Sequence, residues 1–278
     1  NVLIGKDVLG VADGGEQNNV VIGFNAGSAI NHNSTAANVI IGSHAAVGGT
    51  GYISRNVIIG DDALVDLNSR NSVYNTIVGS EAGGGTWAGD GTENTVLGYQ
   101  AFKGAVNGAN FNTVVGSQAG KAITTGDNNV AMGYQSLYSV TTSDGNVGIG
   151  YKAGYSNTGG QAVLIGREAG YNNTANQTIA IGAYTLHSQT SGASNIGIGT
   201  QAGRYNATGA GNVYIGVESG KGVSGNNNNR NTGLGFNALE GITTGDDNTG
   251  LGYQTLHTIT TGATNVAVGS YSLDAITT

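Results

Sequence analysis

Cysteine and proline are absent from this 278-residue chain, only 6% of it is aromatic, and only 10% is charged. Without cysteine there is no disulfide framework and no thiolate metal site. No run of eighteen apolar residues occurs and no segment has the form of a signal peptide, so no membrane-inserting segment is expected. Ten Lys plus Arg against seventeen Asp plus Glu leave a formal charge of −7, scattered without runs. That balance argues against a nucleic-acid partner. An ordinary globular domain has more charge and more aromatics. In their place stand 51 glycines and long Asn, Thr and Ser stretches, which suit either disordered low-complexity chain or a solenoid of short strands.

Strict recurrence decides for the solenoid. An Asn-x-x-aliphatic-Gly unit repeats with its glycine at Gly5, Gly23, Gly42, Gly60, Gly79, Gly98, Gly116, Gly133, Gly150, Gly166, Gly182, Gly199, Gly216, Gly235, Gly252 and Gly269, at intervals of 16 to 19 residues. Counting from that glycine as zero, position −1 is aliphatic in all sixteen copies and −3 is Val, Ile or Thr. Two such residues on alternate positions predict a short strand. Residues 1–278 read as one continuous repeat domain, with longer, less regular coils over 1–115 and mostly 16–17-residue coils over 116–278.

The alternation places −3 and −1 on one face, expected to fill the coil, and −2 on the other. Position −2 is apolar or small: Val21, Ile40, Ile58, Ile77, Val96 and Val114 early, then Ala131, Gly148, Gly197, Gly233 and Gly250. A strand apolar on both faces is buried on both, which predicts that these residues meet neighbouring copies in a homotrimer. Ala at +3 in ten copies, with Gly or a larger apolar residue at +4, reads as a second, outward strand. Asn at −4, in every copy except those with Ala162 and Thr178, reads as a hydrogen-bonded ladder at a tight corner.

Val130-Ala131-Met132-Gly133-x-x-Ser136 and Val266-Ala267-Val268-Gly269-x-x-Ser272 resemble the Val-Ala-Ile-Gly-x-x-Ser/Ala repeat of YadA-like head domains in trimeric autotransporter adhesins. The unit from Asn248 to Gly262 is similar to repeats of phage tail fibres. The resemblance covers essentially the whole chain. It implies a left-handed parallel β-roll, three chains side by side, and an adhesive or receptor-binding role outside the cell, at a bacterial surface or on a virion tail. The coils here are longer than the family's head repeat, and no anchor or stalk separates the two origins.

Chemistry is thinly marked. His32, His44, His187 and His257 are dispersed, with only the last two sharing a repeat position, so neither a metal site nor a Ser/His/Asp triad is expected. No cofactor is expected either. Ile22 to Ala26 would also fit a hexapeptide of a triangular β-helix, but Lys103, Lys121 and His187 at +5 break the pattern. Thr125-Gly126-Asp127-Asn128 and Thr244-Gly245-Asp246-Asp247 read as polar corners in preference to Ca²⁺ loops. Aromatics form stripes: Phe24, Tyr99, Tyr134, Tyr151, Phe236 and Tyr253 at +1, and Tyr138, Tyr155, Tyr171 and Tyr205 at or beside +5. The eight tyrosines are the candidate ligand contacts, for a host-cell glycan or protein receptor, although stacked rings also stabilise coils by themselves. Thr124, Thr141, Thr158, Thr174 and Thr190 form a column at +8 of the kind ice-binding solenoids use. The expectation is therefore a non-enzymatic extracellular fibre segment, with a purely structural shaft and an ice-binding solenoid as alternatives.

Overall fold

The computed structural model describes residues 1–9, 15–28, 35–48, 51–65 and 71–277. They group into two compact units, Asn1–Gly145 and Asn146–Thr278. Both units are all-β, and among the described residues every regular element is a strand. Each unit carries eight three-residue strands hydrogen-bonded side by side in a parallel sheet, from Val2–Ile4 to Val130–Met132 in the first and from Val147–Ile149 to Val266–Val268 in the second. Register follows the repeat without slip: Val114 opposes Ala131, and Leu164 opposes Ala180. The fold is a parallel β-solenoid, as the periodicity predicts.

Which side of the strand faces inward is the reverse of the sequence-based expectation. At −2, Val21, Ile40, Ile58, Ile77, Val96, Val114 and Ala131 have no exposed surface within a single chain. Gly148, Gly197, Gly233 and Gly250 are buried there too. These are the residues expected at a trimer interface, and the structure places them inside their own coil. Positions −3 and −1 are half-exposed or exposed throughout. Alternation identifies which residues share a face; it carries no information about which face is inside when both are apolar.

A second expectation also fails. Residues +1 to +4 form consecutive turns, not an outward strand. All sixteen +2 residues, including Gln118, Gln135, Lys152 and Glu168, have φ between 49° and 61°. Leucines at +4, such as Leu137, Leu186 and Leu256, are left-handed as well. Each such non-glycine residue costs about 1–2 kcal/mol. Hydrogen bonds to both neighbouring coils hold them there. The +2 amide of His44 donates to Phe24 O of the preceding coil at 2.8 Å, and the +4 amide of Ala46 donates to Ala63 O of the following one at 2.9 Å. Outside the main sheet, Ile53–Ser54, Ser72–Val73 and Gly91–Thr92 form a small parallel sheet just before the Asn corner.

The left-handed turns point +3 and +4 inward. Ala26, Ala63, Ala119 and Ala238 at +3, Leu64, Leu137 and Leu239 at +4, and Ile123, Val140, Ile242 and Ile259 at +7 all lack exposed surface. With −2 they make the core. In several coils a large residue is paired with a small one: Leu164 and Tyr214 at −2 accompany Gly170 and Gly220 at +4, while Ala180, Gly233 and Gly250 accompany Leu186, Leu239 and Leu256. Tyr214 is wholly buried, and its hydroxyl donates to Asn228 Oδ1 at 2.5 Å. Burial raises that phenol far above its usual range, so it stays protonated.

The Asn corner forms the predicted ladder. Asn94 donates from its backbone N and from Nδ2 to Asn75 Oδ1, at 2.9 and 3.1 Å. The same Nδ2 reaches Ala109 O at 3.0 Å, and Asn94 Oδ1 then accepts both donors of Asn112. Where Ala162 and Thr178 interrupt the ladder, the buried core position +7 turns polar as Asn157, Asn173, Gln189 and Asn206. Asn173 donates to Asn157 Oδ1 at 2.7 Å, and Gln189 to Thr178 Oγ1 at 2.9 Å. One polar column thus replaces another, and its amide donors find partners, although Gln189 Oε1 is buried without one.

Two stability measurements test this core. Asn94→Ala orphans the buried backbone amide of Asn112 and the carbonyl of Ala109, and is expected to lower the urea-unfolding free energy by about 2–4 kcal/mol. Asn265→Ala, at the last and half-exposed rung, should cost less than half of that. In Gly220→Ala the new Cβ would lie 2.1 Å from Cε1 of Tyr214, at a φ of +56°, for an expected loss of about 2–4 kcal/mol. Adding Tyr214→Leu should recover much of it, and no recovery would sink the account of paired sizes.

Candidate ligand-binding surface

Loop position +1 leaves the core on the side opposite +3, and its rings are accordingly outside. Tyr99, Tyr134, Tyr151 and Tyr253 are 44–48% exposed, while Tyr138, Tyr155, Tyr171 and Tyr205 are half-buried. The chain keeps one repeat position on one column, so rings meet along the solenoid. Tyr155 and Tyr171 stack with centroids 5.1 Å apart and planes at 11°, and Tyr171 stacks on His187 at 5.1 Å and 16°. Phe236 stacks on Tyr253, which meets Tyr271 edge-on. The ring faces are turned toward one another, and edges and hydroxyls are what these stacks present outward.

Cations run between the rings in the second unit. The Arg167 guanidinium lies 5.7 Å from the Tyr151 centroid and 5.3 Å from that of Tyr184. Arg204 lies over Tyr184 and Tyr205 at 5.2 and 4.9 Å, and Lys152 over Tyr151 and Tyr155 at 5.4 and 5.3 Å. The expected tyrosines Tyr151, Tyr155, Tyr171 and Tyr205 are thereby joined in one patch. Tyr99, Tyr134 and Tyr138 belong to the first unit, where Lys121 lies 5.6 Å over Tyr138. Tyr184 and the three cations were not anticipated. The sequence carries a signal for them, because Tyr151, Arg167 and Tyr184 follow one another at +1, +1 and +2 of consecutive copies.

Glu168 Oε2 lies 3.3 Å from His187 Nε2. Burial holds the His187 imidazole below its usual 6.5; Glu168 opposes the shift and Arg204 adds to it. His257 Nε2 likewise sits 2.8 Å from Glu240 Oε2. His44, Asp61 and Asp62 come together on adjacent coils with their ligating atoms within 4.8 Å, at exposed or half-exposed positions. That grouping escaped the sequence reading because His44 and Asp62 are neighbours only across the coil. His32 lies outside the described residues.

Polar columns are engaged internally. Thr124, Thr190 and Thr243 donate their hydroxyls to Thr141 O, Ala207 O and Thr260 O, one coil on, at 2.9–3.1 Å. Asp127 Oδ1 accepts the Asn110 amide at 2.6 Å, and Asp246 Oδ1 accepts that of Asn229 at 2.7 Å. These carboxylates cap a neighbouring corner. Among the described residues no helix is long and apolar enough to cross a membrane. No family model matches the chain, and no curated protein matches it significantly. The class that the fold defines is a parallel β-solenoid repeat protein.

A pH dependence follows from His187. Its folded-state pKa is lowered, so the unfolded chain binds the proton first as pH falls. The stability gained from keeping the ring neutral is fully present above about pH 6.5 and is lost as pH drops through the folded value. The wild type should lose more unfolding free energy than His187→Gln between about pH 7 and pH 5. Parallel curves would contradict the assignment.

Proposed function

We propose that the chain is a non-catalytic segment of an extracellular adhesive or receptor-binding fibre, in which three copies pack side by side. The observation that carries this reading is the solvent face of the parallel sheet. Position −1 lines it with an aliphatic column, in which Met132, Ile198, Leu234 and Leu251 are 37–43% exposed, and −3 adds a column of Val, Ile and Thr. Parallel sheets are normally covered on both faces. Eight strands at about 4.8 Å give each unit a stripe nearly 40 Å long, and a contiguous exposed stripe rich in apolar residues marks an interaction surface. Copies related by a rotation parallel to the solenoid would bring like coils to the same height and bury stripe against stripe. The resemblance to trimeric adhesin heads supplies the number three and a left-handed β-roll. The corrected location is −3 and −1.

In this reading the assembly works by multivalent display. Three rigid copies hold weak surface sites at fixed spacing, and avidity replaces individual affinity. A host-surface glycan or protein is the partner, and the exposed tyrosines are the contacts. A purely structural shaft is the second reading, favoured by the ring stacks, whose faces already serve neighbouring coils.

Light scattering should give a mass near three times the 27.7 kDa of one chain. Ile181→Glu combined with Ile198→Glu should dissociate the assembly, and a wild type that is a stable folded monomer would end the proposal. For display, Tyr134→Ser, Tyr151→Ser and Tyr155→Ser together should reduce binding to target cells with the fold intact. Undiminished adhesion would leave the shaft.

A further inference from the structure

The ten Lys and Arg of this acidic chain are unevenly used. Residues 146–217 hold Lys152, Arg167 and Arg204 against a single carboxylate, Glu168, and all three cations lie on the ring ladder of the second unit. Cation–ring contacts fix long side chains that would otherwise be mobile. A guanidinium lying over a ring still has N–H donors for a carboxylate or sulfate; Arg204 spends Nη1 on Gln201 Oε1 at 2.9 Å, and Arg167 Nε lies 3.7 Å from Glu168 Oε1. Lys152, Arg167 and Arg204 belong to the copies of Gly150, Gly166 and Gly199. They therefore recur about 5 and 10 Å apart along the solenoid. Phenol hydroxyls of Tyr155 and Tyr171 line the same face.

We propose that this ladder binds an anionic polysaccharide lying along the solenoid, its acidic groups held by Lys152, Arg167 and Arg204 and its hydroxyls by the tyrosine edges. The inference rests on the display reading above and names its ligand class. An extended chain with regularly spaced charge matches cations that recur by coil; a lone small anion would engage only one. Single-stranded nucleic acid also carries spaced charge, but such binders need ring faces open to the bases. Here the Tyr155, Tyr171 and His187 faces are taken by one another, and those of Tyr151 and Tyr184 by Arg167. Sugars carry no base to stack and need only the edges.

The test uses the full chain in its native assembly, with dextran sulfate, polygalacturonate, neutral dextran and oligo(dT) as probes in biolayer interferometry. Binding is expected to both acidic polysaccharides, weakening with salt, and not to neutral dextran. Lys152→Gln, Arg167→Gln and Arg204→Gln together should lower affinity on the order of tenfold or more. Because that variant also loses ring contacts, Glu168→Gln supplies a change in the other direction: removing the one acid should tighten binding by about two- to threefold. Equal binding of wild type and triple variant, no tightening in Glu168→Gln, equal retention of neutral dextran, or oligo(dT) bound as well as the polysaccharides would each overturn the inference. Cell binding separates the two levels: wild type that adheres to cells yet ignores both acidic polysaccharides refutes the ligand class alone. A wild type that adheres to nothing refutes display itself.

Discussion

Each zero-position glycine from Gly23 to Gly98 lies so close to the carbonyl of the next that neither coil has room for a side chain there. A Cβ on Gly23 would stand 2.3 Å from Gly42 O, and one on Gly166 would stand 2.6 Å from Gly182 O. No side chain survives there, and φ near 140° at Gly23 excludes one independently. Coils that approach this closely at one point must follow the same path everywhere else. That constraint sets like residue over like residue, and the asparagine ladder, the ring stacks and the threonine column follow from it.

Stacking of identical paths also explains how strained turns persist. Left-handed Gln, Glu and Leu are unfavourable singly, yet the +2 amides are bonded to the coil before and the +4 amides to the coil after, so relaxing a turn would break bonds to both neighbours. Those turns direct +3 and +4 inward to meet −2, giving a core narrow enough for paired sizes such as Tyr214 with Gly220. The same geometry leaves −3 and −1 outside. A chain built in this way fills its interior from −2, +3, +4 and +7 and leaves a second set of Val, Ile, Thr and Leu residues half-exposed on the outer face of the sheet.

Outside the sheet the repeat acts on charge and aromatics. Positions that would be scattered on a globular surface fall into columns, and four consecutive copies bring Tyr151, Arg167, Tyr184 and Arg204 into one interleaved series. Ring faces are consumed within the series, so what it offers a partner is positive charge and hydroxyls. Residue identity alone suggests stripes of ligand-contacting rings; stacking converts them into a ridge of edges.

Much was legible because a repeat states its own register. The sixteen glycines, the strand before each, the ladder from Asn19 to Asn129 and its breaks at Ala162 and Thr178 follow from sequence, since spacing alone decides what stacks on what. The tyrosine columns are legible too, as is the adjacency of Lys152 to Tyr151 and of Arg204 to Tyr205, whereas the contacts of Arg167 with Tyr151 and Tyr184 and of Arg204 with Tyr184 exist only across coils. Left-handed Gln135 and Leu137 carry no local signature; tertiary hydrogen bonds impose the conformation. Above all, a three-residue strand with apolar residues on both sides is symmetric in sequence. Only packing broke that symmetry, because the turns deliver Ala and Leu to the −2 side and leave the coil no room for anything more.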